Sequence, residues 1–234
     1  MGVVLLVRHG QASFGADDYD VLSDLGAEQS RVLGRAMAAS PRLGERSPAV
    51  VLSGGMRRQR ATVDEVVGAA GWDATVDVDP RWDEFDHLSV IGAYPDPQLD
   101  DAAEVDPGDM DRRAFQELFL KSTARWVSGN HDGEYDESFA TFIARTRDAL
   151  GDACRSAGPR STVAVVSSGG VIAAIAAMLV DVTKDPRRLS SPWQRLNTVM
   201  VNASVTRVVV GSTGARLLTY NEHGHLPLDQ VTYR

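Results

Sequence analysis

The chain has 234 residues, 43% apolar and 24% charged, a balance that argues against disorder and lets a core form without disulfide or metal staples. Thirty-two acidic against 24 basic residues leave a formal net charge of −8, whose field repels polyanions and excludes nucleic acid and anionic membrane as general partners. The one cysteine, Cys154, can form no internal disulfide and offers no cysteine-based metal site, as expected of a protein kept in a reducing cytoplasm.

Val3–Val7 is a short apolar run without alternation, the pattern of a strand buried on both faces. It is too short for a signal-peptide core, and Arg8-His9-Gly10 follows at once. From Ser23, a plausible N-cap, the period changes: Leu25, Val32, Leu33, Ala36 and Met37 share one helical face. Val50–Leu52 reads as a second buried strand, closed by Ser53-Gly54-Gly55. A helix is expected from Met56 to Ala69, ended by Gly71. Thr75–Val78 alternates as a third strand would.

Residues 92–110, rich in Pro, Gly and Asp, read as an irregular insertion. Helical patterns follow over 111–128 and 136–151. Val163–Val166 then repeats the opening design, a buried strand running into Ser167-Ser168-Gly169-Gly170 and an apolar helix. Within that helix Val171–Val180 is about half a membrane span, so a soluble protein is expected. Late strands are expected over Thr198–Asn202, Thr206–Val210 and Arg216–Tyr220. The thrice-repeated strand, polar turn and helix predict an α/β fold, a three-layer α/β/α sandwich on a mainly parallel sheet. A single domain over 1–234 is expected, with 92–130 an inserted loop-and-helix region over the site. In such folds the ligand crevice lies beyond the carboxyl ends of the strands, where the turns at 8–15, 53–58 and 167–170 would meet.

These turns carry the chemistry. His9 beside Arg8 and Gly10 has the parts of a phosphoryl acceptor: an imidazole nucleophile, a cation for the phosphate and room for close backbone approach. Arg57-Arg58-Gln59-Arg60 opens a helix, where free N–H groups and the positive dipole end attract anions although cations prefer the opposite end. All but two of the 24 basic residues, Lys121 and Lys184, are arginine. Codon bias explains most of that, but arginine is also the better fork for oxyanions. Glu84 lies in Trp82-Asp83-Glu84-Phe85-Asp86-His87, where aromatic shielding would raise its pKa and suit it to give and retake a proton.

Leu6-Val7-Arg8-His9-Gly10-Gln11-Ala12 resembles the signature of the histidine phosphatase superfamily, the phosphoglycerate-mutase-like proteins. Arg58, four residues before Thr62, is similar to that family's second arginine, and Trp82-Asp83-Glu84 to its acid-bearing segment. Glu137-Ser138-Phe139 with Arg145 resembles a helix start of the family, and Tyr220-Asn221-Glu222 through His225-Leu226 its C-terminal ending. The resemblance implies catalysis by His9 and Glu84 and phosphate binding by Arg8, Arg58, Ser168 and Gly169. It implies no metal and no organic cofactor, arginines supplying the positive charge. Gln11, Arg57 and His87 are candidate substrate contacts.

One position departs from the family pattern. Ser168 stands where Ser-His-Gly or Thr-His-Gly would place a second histidine, and a serine hydroxyl donates a hydrogen bond but carries no charge. His87 and Arg57 are the nearest candidates to replace that charge. Three readings follow: a hydrolase for a small phosphomonoester working through phosphohistidine, a phosphoglycerate-mutase-type phosphoryl transferase, or a catalytically weakened phosphate-binding protein. His131, His223, His225 and Cys154 are read as bystanders, and oligomeric state has no signature in the sequence.

Overall fold

Val3–Val7 lacks alternation because both faces of its strand are covered. The computed structural model describes residues 1–13, 20–39, 47–95, 112–183 and 185–233. It sets this run in β1 (Gly2–Arg8), inside a six-stranded sheet completed by β2 (Val50–Ser53), β3 (Val76–Val78), β4 (Thr162–Ser167), β5 (Val205–Gly211) and β6 (Gly214–Glu222). The strand order is β3-β2-β4-β1-β5-β6. The first four in that order run parallel, β5 is antiparallel to β1, and β6 is antiparallel to β5.

Among the described residues the helices are α1 (Asp24–Ala39), α2 (Arg57–Ala70), α3 (His87–Gly92), α4 (Arg112–Val127), α5 (Phe139–Ser156), α6 (Gly169–Val180) and α7 (Ser190–Thr198). The β1/β4 register pairs Leu5 with Ala164 and Leu6 with Val165, so successive residues serve opposite faces. Leu5, Val7, Ala164 and Val166 pack with Leu33 and Met37 of α1 and Val63 and Val66 of α2. Val4, Leu6, Val163 and Val165 pack with Phe142 and Ile143 of α5 and with Ile172 and Ile175 of α6. These are the three layers of an α/β/α sandwich. Gly169–Ala177 are all buried, which explains the unbroken apolar helix. No described helix is long and apolar enough to cross a membrane.

Local signals set most boundaries. Ser23 Oγ accepts from Gly26 N at 3.0 Å, the N-cap of α1. Gly71, at φ 66°, ends α2 in the left-handed conformation. Ser138 caps α5, accepting from Thr141 N.

The strand expected over Thr198–Asn202 does not form. α7 runs to Thr198, and the following residues turn across the carboxyl end of the sheet. Asn221 is the reason: its Oδ1 accepts from Val201 N at 2.8 Å and its Nδ2 donates to Val199 O at 2.8 Å. Asn202 N donates to Thr232 O. Backbone groups that a sheet neighbour would satisfy are taken by a distant side chain and by the C-terminal segment, a tertiary override of β-branched composition. Neither α3 nor α7 had been expected. Of the irregular stretch expected at 92–110, residues 96–110 lie outside the described residues. α4 beyond it enters the main core through Trp126, which stacks on Phe85 with centroids 4.7 Å apart and meets Trp193 edge-on at 5.9 Å.

Candidate active site

β1, β2 and β4 are neighbours and parallel, so the turns leaving them meet at one edge of the sheet. His9 follows β1. Its backbone N donates to Ser167 O at 2.9 Å, and its carbonyl accepts from Asn202 Nδ2 and Ala203 N, both at 3.2 Å. The ring is buried, with Nδ1 2.7 Å from Gly10 O. A carbonyl can only accept, so Nδ1 carries the proton and Nε2 the lone pair. Nε2 accepts from Arg58 Nε at 3.3 Å. Burial, then the charges of Arg58 and Arg8, hold the His9 pKa well below the ordinary histidine value of 6.5. The ring is therefore neutral and nucleophilic at neutral pH.

Arg58 stands in the first turn of α2 and is 6% exposed. Its Nη1 donates to Asp20 Oδ1 at 2.8 Å, and the same carboxylate accepts from Arg57 N at 2.8 Å and Arg58 N at 3.4 Å. Asp20 thus sits on the helix N-terminus and steers the guanidinium, which resolves the conflict of arginines at the positive end of a dipole. Thr62 ties the two motifs together, donating to Arg58 O at 2.8 Å and accepting from Gly10 N at 3.0 Å. Arg8 Nη1 donates to the carbonyls of Met200 and Tyr233. The C-terminal segment is held in turn by Gln29, whose Nε2 donates to Gln230 O at 2.7 Å and Thr232 Oγ1 at 2.9 Å.

Glu84 arrives on the segment between β3 and α3. Its Oε2 accepts from Gly170 N at 2.8 Å and its Oε1 from Phe85 N at 3.2 Å. Burial is the largest influence and raises its pKa, while those amides and the charges of Arg58 and Arg8 pull the other way. Arg145 pins this segment. It grips Glu137 through two bonds, of 2.5 and 2.9 Å, and donates to Arg81 O and Asp83 O at 2.9 and 2.8 Å. That contact accounts for the Glu137 and Arg145 pattern seen in the sequence.

The remaining candidates are placed as follows. Gly169 opens α6 against Arg8, a Cβ there falling 3.6 Å from Arg8 Nε. Ser168 is fully buried at the N-cap of α6. Gln11 Oε1 accepts from Ser23 Oγ at 2.9 Å, so its side chain is directed to the start of α1. Arg57 has an exposed side chain. His87, first residue of α3, has its pKa lowered by burial and by Arg58, with Asp86 pulling the other way. His225 Nε2 donates to Ala203 O at 3.1 Å, and His131 pairs with Glu134 at 3.0 Å. Burial raises the Cys154 thiol pKa, which leaves less nucleophilic thiolate at neutral pH. Among the described residues no group of three or more His, Cys, Asp or Glu is placed to hold a metal ion.

Residues 4–223 match the model of the histidine phosphatase superfamily (branch 1). The chain belongs to that superfamily. A histidine phosphatase of this kind is a phosphomonoester hydrolase acting on a small phosphorylated metabolite. The chain is 27% identical over 198 residues to a glucosyl-3-phosphoglycerate phosphatase of Mycolicibacterium vanbaalenii, covering 78% of this chain and 76% of that protein. Among solved structures it superposes on a mycobacterial glucosyl-3-phosphoglycerate phosphatase with TM-score 0.64 at 21% identity, covering 96% of this chain and 100% of that one. A phosphoserine phosphatase of Entamoeba histolytica gives TM-score 0.64 at 17% identity, over 97% and 100% of the two chains. The likeness to solved structures bears out the sandwich fold, and the family match bears out the resemblance read from Arg8-His9-Gly10.

Four residues of this histidine phosphatase had no signal of their own in the sequence. Asp20 and Asn202 are polar residues in turns, a composition shared by most surface loops. Thr232 belongs to a segment with no motif. Gln59, named only as a member of the Arg57-Arg58-Gln59-Arg60 run, is fully buried. The one clue available was that it stood in the first turn of a helix whose apolar face begins four residues on, at Val63.

Proposed function

We propose that His9, Arg8, Arg58 and Glu84 carry out the hydrolysis in two in-line transfers. His9 Nε2 attacks phosphorus, the ester P–O bond breaks, and the leaving oxygen takes the Glu84 proton. The Glu84 carboxylate then accepts a proton from water, the water oxygen attacks phosphorus, and the P–N bond breaks to release inorganic phosphate and free His9. Arg58 Nε, bonded to His9 Nε2 in the resting site, moves onto a phosphoryl oxygen as phosphate enters. With Arg8 it offsets the charge that collects on the equatorial oxygens. The observation that carries this reading is the His9 ring itself: Nδ1 on the Gly10 carbonyl, Nε2 toward a guanidinium.

The substrates named for the two kinds of relative carry a phosphate on a three-carbon acid, so phosphorylated glycerate derivatives and phosphoserine open the substrate screen. Hydrolysis is favoured over mutase transfer because the sequence of the 92–110 stretch is acidic and its charge would repel polyanionic sugar phosphates. The acidic balance and the single cysteine support a cytoplasmic enzyme of small metabolites, with nucleic acid outside its range.

The test is a rapid alkaline quench of the reaction with an aryl phosphate. Wild type is expected to give a burst of product and an acid-labile phosphoprotein. His9→Ala is expected to give neither; undiminished turnover in that variant would overturn the reading.

A further inference from the structure

A serine at a helix N-cap ordinarily turns its oxygen onto the first-turn amides. Ser168 does not: it makes no side-chain cap to α6. Its Oγ instead accepts a hydrogen bond from Gln59 Nε2 at 2.8 Å. Gln59 is itself fully committed. The other Nε2 proton goes to Trp82 O at 3.1 Å, and Oε1 accepts from Met56 N at 3.3 Å. Both residues are 0% exposed. Ser167 Oγ also donates to Trp82 O, at 2.6 Å, so the carbonyl two residues before Glu84 is already occupied.

The consequence lies in the direction of one proton. With its oxygen accepting from Gln59, Ser168 keeps its own O–H to give, and a buried hydroxyl proton needs an acceptor. Among the described residues that hydroxyl takes part in no hydrogen bond besides the one from Gln59. Ser168 lies between Ser167, whose carbonyl holds His9 N, and Gly169-Gly170, which border Arg8 and bind Glu84. A phosphoryl group on His9 Nε2 supplies the acceptor at that place.

We infer that Gln59 is a positioning residue for phosphoryl transfer: its amide takes the lone pair of Ser168 and so commits the serine hydroxyl to donate to a phosphoryl oxygen. The pair fills, without charge, the position that the sequence resemblance gives to a second histidine. Polarisation by the amide strengthens the donor, since linked hydrogen bonds reinforce one another in a low-dielectric site. This inference rests on the His9 mechanism proposed above.

The experiment compares wild type, Ser168→Ala, Ser168→Thr, Gln59→Leu and the double variant S168A/Q59L, with His9→Ala as reference. Turnover of an aryl phosphate and inhibition by vanadate are measured, the latter because its five-coordinate form resembles the transferring group. Ser168→Ala and Gln59→Leu are each expected to lower kcat roughly 10- to 100-fold with KM changed little. Vanadate affinity should weaken in parallel. The double variant should lose no more than the worse single variant, because both remove one donor. Ser168→Thr keeps the hydroxyl and should restore most of the rate. Independent, multiplicative losses, or a Ser168→Ala protein with unaltered kcat and vanadate affinity, would overturn the inference. If Gln59→Leu does not fold, the isosteric Gln59→Glu decides: its carboxylate can accept from the Ser168 hydroxyl and withdraw the donor, so kcat should fall as in Ser168→Ala, and an unaltered kcat would overturn the inference. An inert wild type, or activity surviving His9→Ala, would instead strike the mechanism beneath it.

Discussion

His9 is kept neutral by burial and by two guanidinium groups, whereas burial keeps Glu84 protonated to higher pH than a solvated carboxyl. The two shifts separate the groups in the sense that catalysis needs. Activity with an alkyl phosphate should fall at low pH as His9 takes up a proton. That limb lies below the ordinary histidine value because its pKa is lowered. Activity should also fall at high pH as Glu84 loses its proton, a limb displaced upward because its pKa is raised. In Glu84→Gln the alkaline limb is expected to vanish and kcat on an alkyl phosphate to drop by about 10²- to 10⁴-fold, whereas an aryl phosphate, which needs little protonation, should keep its burst and lose only steady-state turnover, because Glu84 also activates the water. An alkaline limb that persists in the variant would assign the acid elsewhere. Asp20→Asn tests the steering of Arg58. Its guanidinium would lose a charged partner, and phosphate affinity and kcat are expected to change by about 3- to 30-fold with little change in melting temperature.

At the level of elements, the acid depends on how α5 and α6 hold the segment before α3. A Cβ on Gly170 would fall 2.2 Å from Glu84 Oε1, so Gly170→Ala should push the carboxylate off its amide. The expected outcome is a roughly tenfold or greater loss of kcat with a displaced alkaline limb, read from pH–rate profiles. Arg145→Ala cuts the two-bond grip on Glu137 and the bonds to the carbonyls of Arg81 and Asp83. It should cost about 1–3 kcal/mol in denaturant titration and slow turnover on alkyl more than aryl phosphates. Much of this level could be read in advance. The strand, turn and helix repeats placed β1, β2, β4, α1, α2 and α6 within a residue or two, because burial on both faces leaves an unbroken apolar run. α7 and the turn after it could not. The turn's backbone bonds go to Asn221 and Thr232, partners 20 or more residues away in the chain whose reach no local pattern encodes.

Across the whole molecule, stability and function share one aromatic core. Phe85, the neighbour of Glu84, meets Trp126, Phe142 and Trp193 with centroids 4.7 to 5.9 Å apart, and Trp193 Nε1 donates to Gly170 O at 2.9 Å. Trp193→Ala should therefore destabilise the fold by about 3–5 kcal/mol, measured by denaturant unfolding, and loosen the turn that binds Glu84. Acid should also weaken the fold. His225 is held to about 4 and His9 is lowered as well. As pH falls from 6.5, the unfolded chain binds protons that the folded one refuses, so stability declines down to the folded values. Glu84 acts in the opposite sense, its raised pKa costing stability as pH rises above the ordinary carboxyl value of 4.5. Melting midpoints should drop between pH 6.5 and 4, less steeply in His225→Gln.

Chain order and residue type were enough to give the layered fold, the parallel strands and the neighbourhood of His9, Arg8, Arg58 and Glu84. Those features follow from periodicity, from the rule that loops at parallel strand ends converge and, for Arg58 and Glu84, from the resemblance to the histidine phosphatases. Folding was needed to reveal what each side chain does with its hydrogen bonds. The tautomer of His9, the carboxylate of Asp20 on α2, the clamp of Arg145 and the union of Gln59 with Ser168 each depend on an ångström-scale approach between segments far apart in sequence. Such approaches arise from packing the layers together, and no single segment contains the information for them.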